Sequence, residues 1–229
     1  MQLKILTWNI WMDCDFAKVT EFLRSSNADV VGVQECMPDD AGRNVVDFLT
    51  SLGYHVAVSN SWEIRQDGRS MGVALFSTFP IHKSKTHHLS EEFRRMAVEA
   101  DIEVEGALLK VFSVHTLHTH QKESNTQNAQ VENLTKVLPK ERVIVLGDFN
   151  ATPEMTPIKR MREVLVDTGQ GSEPTWSLDP KGCIGCNFTG LNIRLDYIFA
   201  SRDLKTHSFK VEKDAQGSDH LPVSVIVEL

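Results

Sequence analysis

The sequence predicts a mixed-sheet α/β protein, and three observations lead there. Short β-rich runs outnumber helical stretches over the 229 residues. Some runs connect through a helical segment and others through a tight turn, so parallel crossovers and antiparallel hairpins are both expected. Hydrophobic residues make up 41% of the chain and charged residues 24%, proportions that support a packed core and argue against disorder.

The elements follow in order. Gln2–Ile10 reads as the first strand. Phe16, Val19, Phe22 and Leu23 then fall at helical spacing, with Asp15 placed to cap the helix. Asp29–Gln34 is a buried strand, and Ala41–Leu52 a second helix closed by Gly53. Strands are expected at Tyr54–Val58, Val73–Phe76, Met96–Val104 and Leu108–His115, the last two joined as a hairpin at Gly106. The basic stretch His82–His88 reads as a solvated edge strand whose lysines discourage pairing with other chains, the alternative being a polyanion-binding rim continued by Arg94 and Arg95. Gln121–Leu138 is helical up to Pro139, Arg142–Leu146 is an apolar strand, and Pro157–Val166 is a helix. Leu195–Ala200, Thr206–Val211 and Val223–Glu228 complete the strands. With no repeat, low-complexity tract or linker-like stretch, residues 1–229 are expected to form a single domain.

Composition narrows the setting. The formal charge of -7 and a pI of about 5.7 argue against a protein that coats nucleic acid by charge alone. They leave room for an enzyme that acts on phosphates through a bound cation, because the ion reverses the local field. No apolar run approaches the ~20 residues of a membrane span, and the start Met1–Leu6 turns polar too soon for a secretory signal. Four cysteines (Cys14, Cys36, Cys183, Cys186) do not make a disulfide framework in a chain of this length. The lone Cys183–Cys186 pair reads as two thiols in a loop, without the partners a zinc or redox site needs. A cytoplasmic protein is expected.

The acid, amide and imidazole groups sit where strands end. Asn9 closes the first strand, Gln34-Glu35 the second, and His115 the run from Val111. Asp148 and Asn150 end the run from Val143, Asp196 lies in Arg194–Phe199, and Asp219-His220 precedes the last strand. Strand ends are where side chains distant in sequence converge in α/β sheets, so these groups point to one polar centre.

The runs Thr7-Trp8-Asn9, Gln34-Glu35, Gly147-Asp148-Phe149-Asn150, Arg194-Leu195-Asp196-Tyr197 and Ser218-Asp219-His220, in that order, resemble the endonuclease/exonuclease/phosphatase (deoxyribonuclease I-like) superfamily from residue 3 to the C-terminus. The resemblance implies a four-layer α/β sandwich, two mixed sheets packed face to face with helices outside. It also implies a divalent-metal-dependent phosphodiesterase or phosphohydrolase using Mg2+, with Mn2+ as a substitute. Glu35 would be the principal metal ligand, with Asn9 assisting it or contacting phosphate and Asp219 a further acid of the metal site. Asp148 would orient or deprotonate water, Asn150 would hold that water or the phosphate, His220 would face the scissile phosphate, and Asp196 would orient and charge a histidine. His115 matches a second active-site histidine of the deoxyribonuclease I and sphingomyelinase branches and departs from the apurinic endonucleases, which carry a tyrosine there.

Rival readings are weaker. His115, His118 and His120 suggest zinc, but Lys122 and Glu123 stand where the metallo-hydrolase pattern needs Asp and His. Trp11, Trp62, Trp176 and Phe188 would lie near site loops, stacking on bases or packing the rim, and the loop from Asp179 to Arg194 would tune specificity. A nucleic-acid-type phosphodiester is the favoured substrate, and a phospholipid or inositol phosphate the alternative. A non-catalytic binding protein would have lost part of the polar set, and all of it is present.

Overall fold

Two β-sheets stack face to face, and helices cover the outer side of each. The computed structural model describes residues 1–229 apart from 13, 60–62, 65–69 and 179–189. In the first sheet β1 (Gln2–Asn9) and β2 (Val30–Cys36) lie centrally, flanked by β13 (Val223–Glu228) and β12 (Lys205–Val211) on one side. On the other side come β5 (Ser70–Ser77) and β3 (His55–Val58), with β4 (Glu63–Ile64) also paired to β5. The second sheet runs β10 (Val166–Asp167), β11 (Asp196–Ala200), β9 (Val143–Asp148), β8 (Ala107–His115), β7 (Met96–Val104), β6 (Ile81–His88). Each sheet has one parallel pair, β1 with β2 and β8 with β9. Those pairs are made by crossovers through α1 (Phe16–Ser25) and α3 (Asn125–Val137). The other pairings are antiparallel, as hairpins and short returns allow.

Period-two alternation sorts side chains between the layers. Leu3 and Ile5 of β1, Leu109 and Val111 of β8, and Ile144 and Leu146 of β9 belong to the core between the sheets. Leu6, Trp8 and Val33 face outward under α1 and α2 (Val45–Ser51). Phe112, Val145, Tyr197 and Phe199 face outward under α3 and α4 (Thr156–Val164). This is the four-layer arrangement. The sheets approach closely at Gly32, where a Cβ would come within 1.8 Å of Leu146 Cδ1.

Most elements lie where the sequence places them, and the shifts have local causes. Asp15 caps α1, accepting from Lys18 N. α2 begins at Val45 instead of 41 because Asn44 caps it through Asp47 N, while Asp40 turns the chain before it with its carboxylate on Gly42 N. α3 begins at Asn125 instead of 121, capped by Ser124, since His120 and Gln121 hold left-handed φ values of 53° and 56° that no helix continues. The Glu105-Gly106 turn between β7 and β8 has both φ angles positive, the geometry a two-residue hairpin favours. His82–His88 lies in β6, the exposed edge of the second sheet, where His82 pairs with Glu103 and His87 with Glu99. The two-residue strands β4 and β10 carry too little pattern to be expected from sequence. Among the described residues no helix is long and apolar enough to cross a membrane.

Gly147 sits in β9 at φ 144°, and a Cβ there would lie 2.0 Å from the Val114 carbonyl oxygen. Gly53 also has positive φ but open space around it. Gly147→Ala is therefore expected to cost ~3 kcal/mol or more in urea denaturation, and Gly53→Ala ~1 kcal/mol. Equal costs would show that close packing at β9 does not matter.

Candidate active site

The core between the sheets changes character over one pleat at the C-terminal ends of the two parallel pairs. Two residues beyond Ile5 stands Thr7, beyond Val111 stands Ser113, and on β2 stands Gln34, all buried. They bond one another across the sheets, Gln34 Nε2 donating to Thr7 Oγ1 at 3.0 Å and to Ser113 Oγ at 3.1 Å. One pleat further on, the same inner faces carry Asn9, His115 and Asp148. Registers align Asn9 with Gln34, His115 with Asp148, and Asp148 with Asp196.

Asp148 is the hub. Its Oδ2 accepts from Asn9 Nδ2 at 3.0 Å and Asn150 Nδ2 at 3.2 Å, and lies 3.4 Å from His115 Nε2 and 3.8 Å from His220 Nε2. Its Oδ1 accepts from Asn150 N at 2.7 Å. Burial pushes the Asp148 carboxyl up, against the pull of His220. Asn9 Nδ2 also donates to Glu35 Oε1 at 3.1 Å, and Asn9 Oδ1 accepts from Trp11 N at 3.0 Å, so Asn9 links two carboxylates.

Glu35 arrives by a bulge. Strict alternation would turn its side chain to the helix side, but the β2–β5 register shifts between Gln34 and Cys36, and Glu35 takes φ 55°. Bulges re-aim side chains in this way. Burial, and after it the nearby Asp219 carboxylate, push the Glu35 carboxyl up.

His220 and Asp219 come from the segment leading into β13. Ser218 Oγ donates to Asn9 O at 2.7 Å and Trp8 Nε1 to His220 O at 2.9 Å, fastening that segment to the first sheet. His220 Nδ1 lies 2.9 Å from Asp196 Oδ2, which also accepts from Thr175 Oγ1 at 2.6 Å. Burial alone would depress the His220 pKa, but the carboxylates of Asp196, Asp219 and Asp148 outweigh it and raise it. Trp176 Nε1 donates to Asp219 Oδ2 at 2.8 Å, while Asp219 Oδ1 is buried with no hydrogen-bond partner among the described residues.

These groups line a cleft of about 390 Å³ with Trp11, Met12, Met71, Arg95, His118, His120 and Trp176. Every residue expected from the sequence is therefore in or directly behind one site: Asn9, Glu35, His115, Asp148, Asn150, Asp196, Asp219 and His220. Sequence reasoning left out Thr175, named Arg95 only as part of a polyanion-binding rim, and set His118 and His120 aside on a loop. Arg95 was legible in the hairpin register, since counting out from the Glu105-Gly106 turn brings Met96 opposite His115. His118 Nδ1 is 2.7 Å from Asn150 Oδ1, a contact the loop sequence does not announce. Trp11 and Trp176 reach the cleft, whereas Trp62, Phe188, Cys183 and Cys186 lie outside the described residues.

Oxygen donors suited to a divalent cation are present. Partial burial and then the Asp219 carboxylate push the Glu35 carboxyl up, and Asp219 Oδ1 has no hydrogen-bond partner among the described residues, a set of oxygen donors that suits a hard divalent cation. Ligand atoms of Asp148, Asp196 and His220 also lie within 4.8 Å of one another. The Asp196–His220 hydrogen bond accounts for most of that closeness. Among the described residues, His115, His118 and His120 form no such group.

A model of the Endonuclease/Exonuclease/phosphatase family matches residues 6–220. A Beutenbergia cavernae endonuclease/exonuclease/phosphatase is similar at 19% identity and TM-score 0.80, over 100% of this chain and 72% of that one. A family protein from Leptotrichia buccalis is similar at 20% identity and TM-score 0.79, over 99% and 100%. A mannosyl-6-phosphatase of Bacteroides thetaiotaomicron is similar at 16% identity and TM-score 0.73, over 99% and 100%. These likenesses bear on the fold. No curated protein matches the chain in sequence.

Asp196→Asn is expected to lower the pH at which His220 titrates, followed by NMR of the metal-free protein. A folded-state pKa raised above the ordinary 6.5 stabilises the protein most below that pH, and the effect is lost as pH rises through the raised value. The stability gap between wild type and variant should therefore close as the solution becomes alkaline. A gap that widens would show that Asp196 does not charge His220.

Proposed function

The chain belongs to the endonuclease/exonuclease/phosphatase family, whose members are phosphoric-ester hydrolases, and we propose that it is a magnesium-dependent phosphodiesterase acting on nucleic-acid-type substrates. The convergence of Asn9, Asn150, His115 and His220 on one buried carboxylate, Asp148, carries this reading. A phosphodiester resists attack because it is anionic, so hydrolysis needs a base for water, donors for the nonbridging oxygens and local positive charge. Magnesium, with manganese as a substitute, would supply that charge from a position on Glu35 and Asp219, with Asn9 holding Glu35 in place.

Asp148 is the base in this scheme. Its raised pKa gives it basicity, and the amides of Asn9 and Asn150 leave its carboxylate one orientation. Asn150 sits beside it to hold the water or the phosphate. His220, charged by Asp196 and its neighbours, presents Nε2 to the developing charge on the phosphoryl group or its leaving oxygen. The indole of Trp11 lines the same cleft and supports a substrate with flat bases to stack, while the buried Trp176 holds Asp219 through Nε1. Cys14 and Cys36 are buried thiols, the latter pushed up to about 12 by burial and so poorly reactive, and a cytoplasmic setting is part of this proposal.

The test is hydrolysis with and without magnesium of plasmid, single-stranded and abasic DNA, tyrosyl-linked DNA, RNA, sphingomyelin, inositol phosphates and mannose phosphate. Cleavage of a polynucleotide, abolished by chelator and restored by magnesium, is expected. Turnover confined to lipid, inositol or sugar phosphates would replace the nucleic-acid reading and leave the hydrolase in place. Asp148→Asn and Glu35→Gln should each lower kcat ~100-fold or more with circular dichroism unchanged. An Asp148→Asn enzyme with most of its activity would overturn the assignment of the base.

A further inference from the structure

His115 and His220 flank the same carboxylate oxygen, yet their far nitrogens face opposite charges. His220 Nδ1 meets the Asp196 carboxylate at 2.9 Å. His115 Nδ1 meets the Arg95 guanidinium, with Nη1 at 3.3 Å and both side chains buried. An ionised carboxylate only accepts hydrogen bonds and a guanidinium only donates them. His220 Nδ1 therefore carries a hydrogen, and His115 Nδ1 must present its lone pair. An imidazole that accepts at Nδ1 carries its hydrogen on Nε2. His115 Nε2 is the nitrogen 3.4 Å from Asp148 Oδ2 and 4.0 Å from Glu35 Oε1, on the cleft side.

We propose that Arg95 is a positioning residue that fixes the tautomer of His115, so that this histidine presents an Nε2–H donor to the cleft and does not exchange roles with His220. The two imidazoles then divide the work. His220, hydrogen-bonded through Nδ1 to a carboxylate, keeps a hydrogen on that side and turns Nε2 toward Asp148. His115 keeps one hydrogen and points it at Asp148, or at a nonbridging phosphoryl oxygen when substrate is present. Arg95 reaches this position because it immediately precedes β7, the strand whose first residues pair beside the end of β8. The catalytic consequence rests on the hydrolase reading above, but the tautomer does not.

Imidazole proton–nitrogen correlation spectra of labelled, substrate-free protein test the proposal directly. The wild type should show His115 protonated at Nε2 and His220 at Nδ1; a His115 hydrogen on Nδ1 would overturn the proposal whatever the substrate proves to be. In Arg95→Met the His115 signals should move toward a mixture of tautomers, and Arg95→Lys should restore the wild-type pattern. With a hydrolysed substrate in hand, Arg95→Met should lower kcat ~10-fold or more while KM changes less than ~3-fold. A rise in KM with kcat unchanged would make Arg95 a substrate anchor and overturn the positioning role. If Arg95→Met fails to fold, the wild-type spectrum still decides.

Discussion

A single buried carboxylate oxygen, Asp148 Oδ2, organises this molecule's functional end. A carboxylate removed from water must be met by donors or charge, because an unpaired buried ion costs several kcal/mol. Here the donors come from Asn9 on the first sheet and Asn150 beyond the second, with imidazoles from β8 and from the segment before β13. No one of these segments could satisfy Asp148 alone. The sheets must therefore dock in one relative position, and the same docking that fills the apolar core with Leu146, Ile5 and Val111 sets the site. Gly32 on β2 helps by letting Leu146 approach where a side chain would intrude.

Two local departures from regular strand geometry refine the placement. The bulge at Glu35 turns an outward position inward, and the positive φ at Asn150 lets the chain fold its amide back over Asp148. Both residues pay for a left-handed backbone conformation without being glycine, which persists only where surrounding contacts determine it. Arg194 plays a supporting part. It forms a buried two-point pair with Asp167 at 2.7 and 3.1 Å and lies over the Tyr197 ring, tying β10 to the start of β11, where Asp196 begins. The arginine of the Arg194–Tyr197 run thus braces the strand and leaves the chemistry to Asp196.

Much of this was legible in the sequence because the site occupies the last pleat of apolar strands. Thr7 and Asn9, Ser113 and His115, and Leu146 and Asp148 each stand two residues apart, and alternation alone puts both members of a pair on one face. Polar groups ending several apolar runs must then share an end of the sheets. What alternation cannot show is a break in itself. Glu35 lies on the wrong parity and needs the bulge, an extra residue on β2 that shows only in its pairing with β5. His118 and Thr175 enter from loops whose course no local period records. The delayed start of α3 came from His120 and Gln121, whose left-handed backbone a propensity argument does not see.

The electrostatics of the cleft explain how an acidic chain can handle an anionic substrate. Glu35, Asp148, Asp196 and Asp219 outnumber the fixed cations beside them, the Arg95 guanidinium and an imidazolium at His220. Such a set repels phosphate while its carboxylates are uncompensated, and two of them, Glu35 and Asp148, are already raised in pKa by their burial. A divalent cation held on the Glu35 side, as proposed, would remove that repulsion and reverse the local potential. Substrate affinity and metal occupancy would then be one linked equilibrium, on which the chain's overall charge of -7 has little bearing. The surplus of acid in the cleft, unfavourable in isolation, would in the proposed scheme make phosphate binding conditional on the ion that hydrolysis also uses.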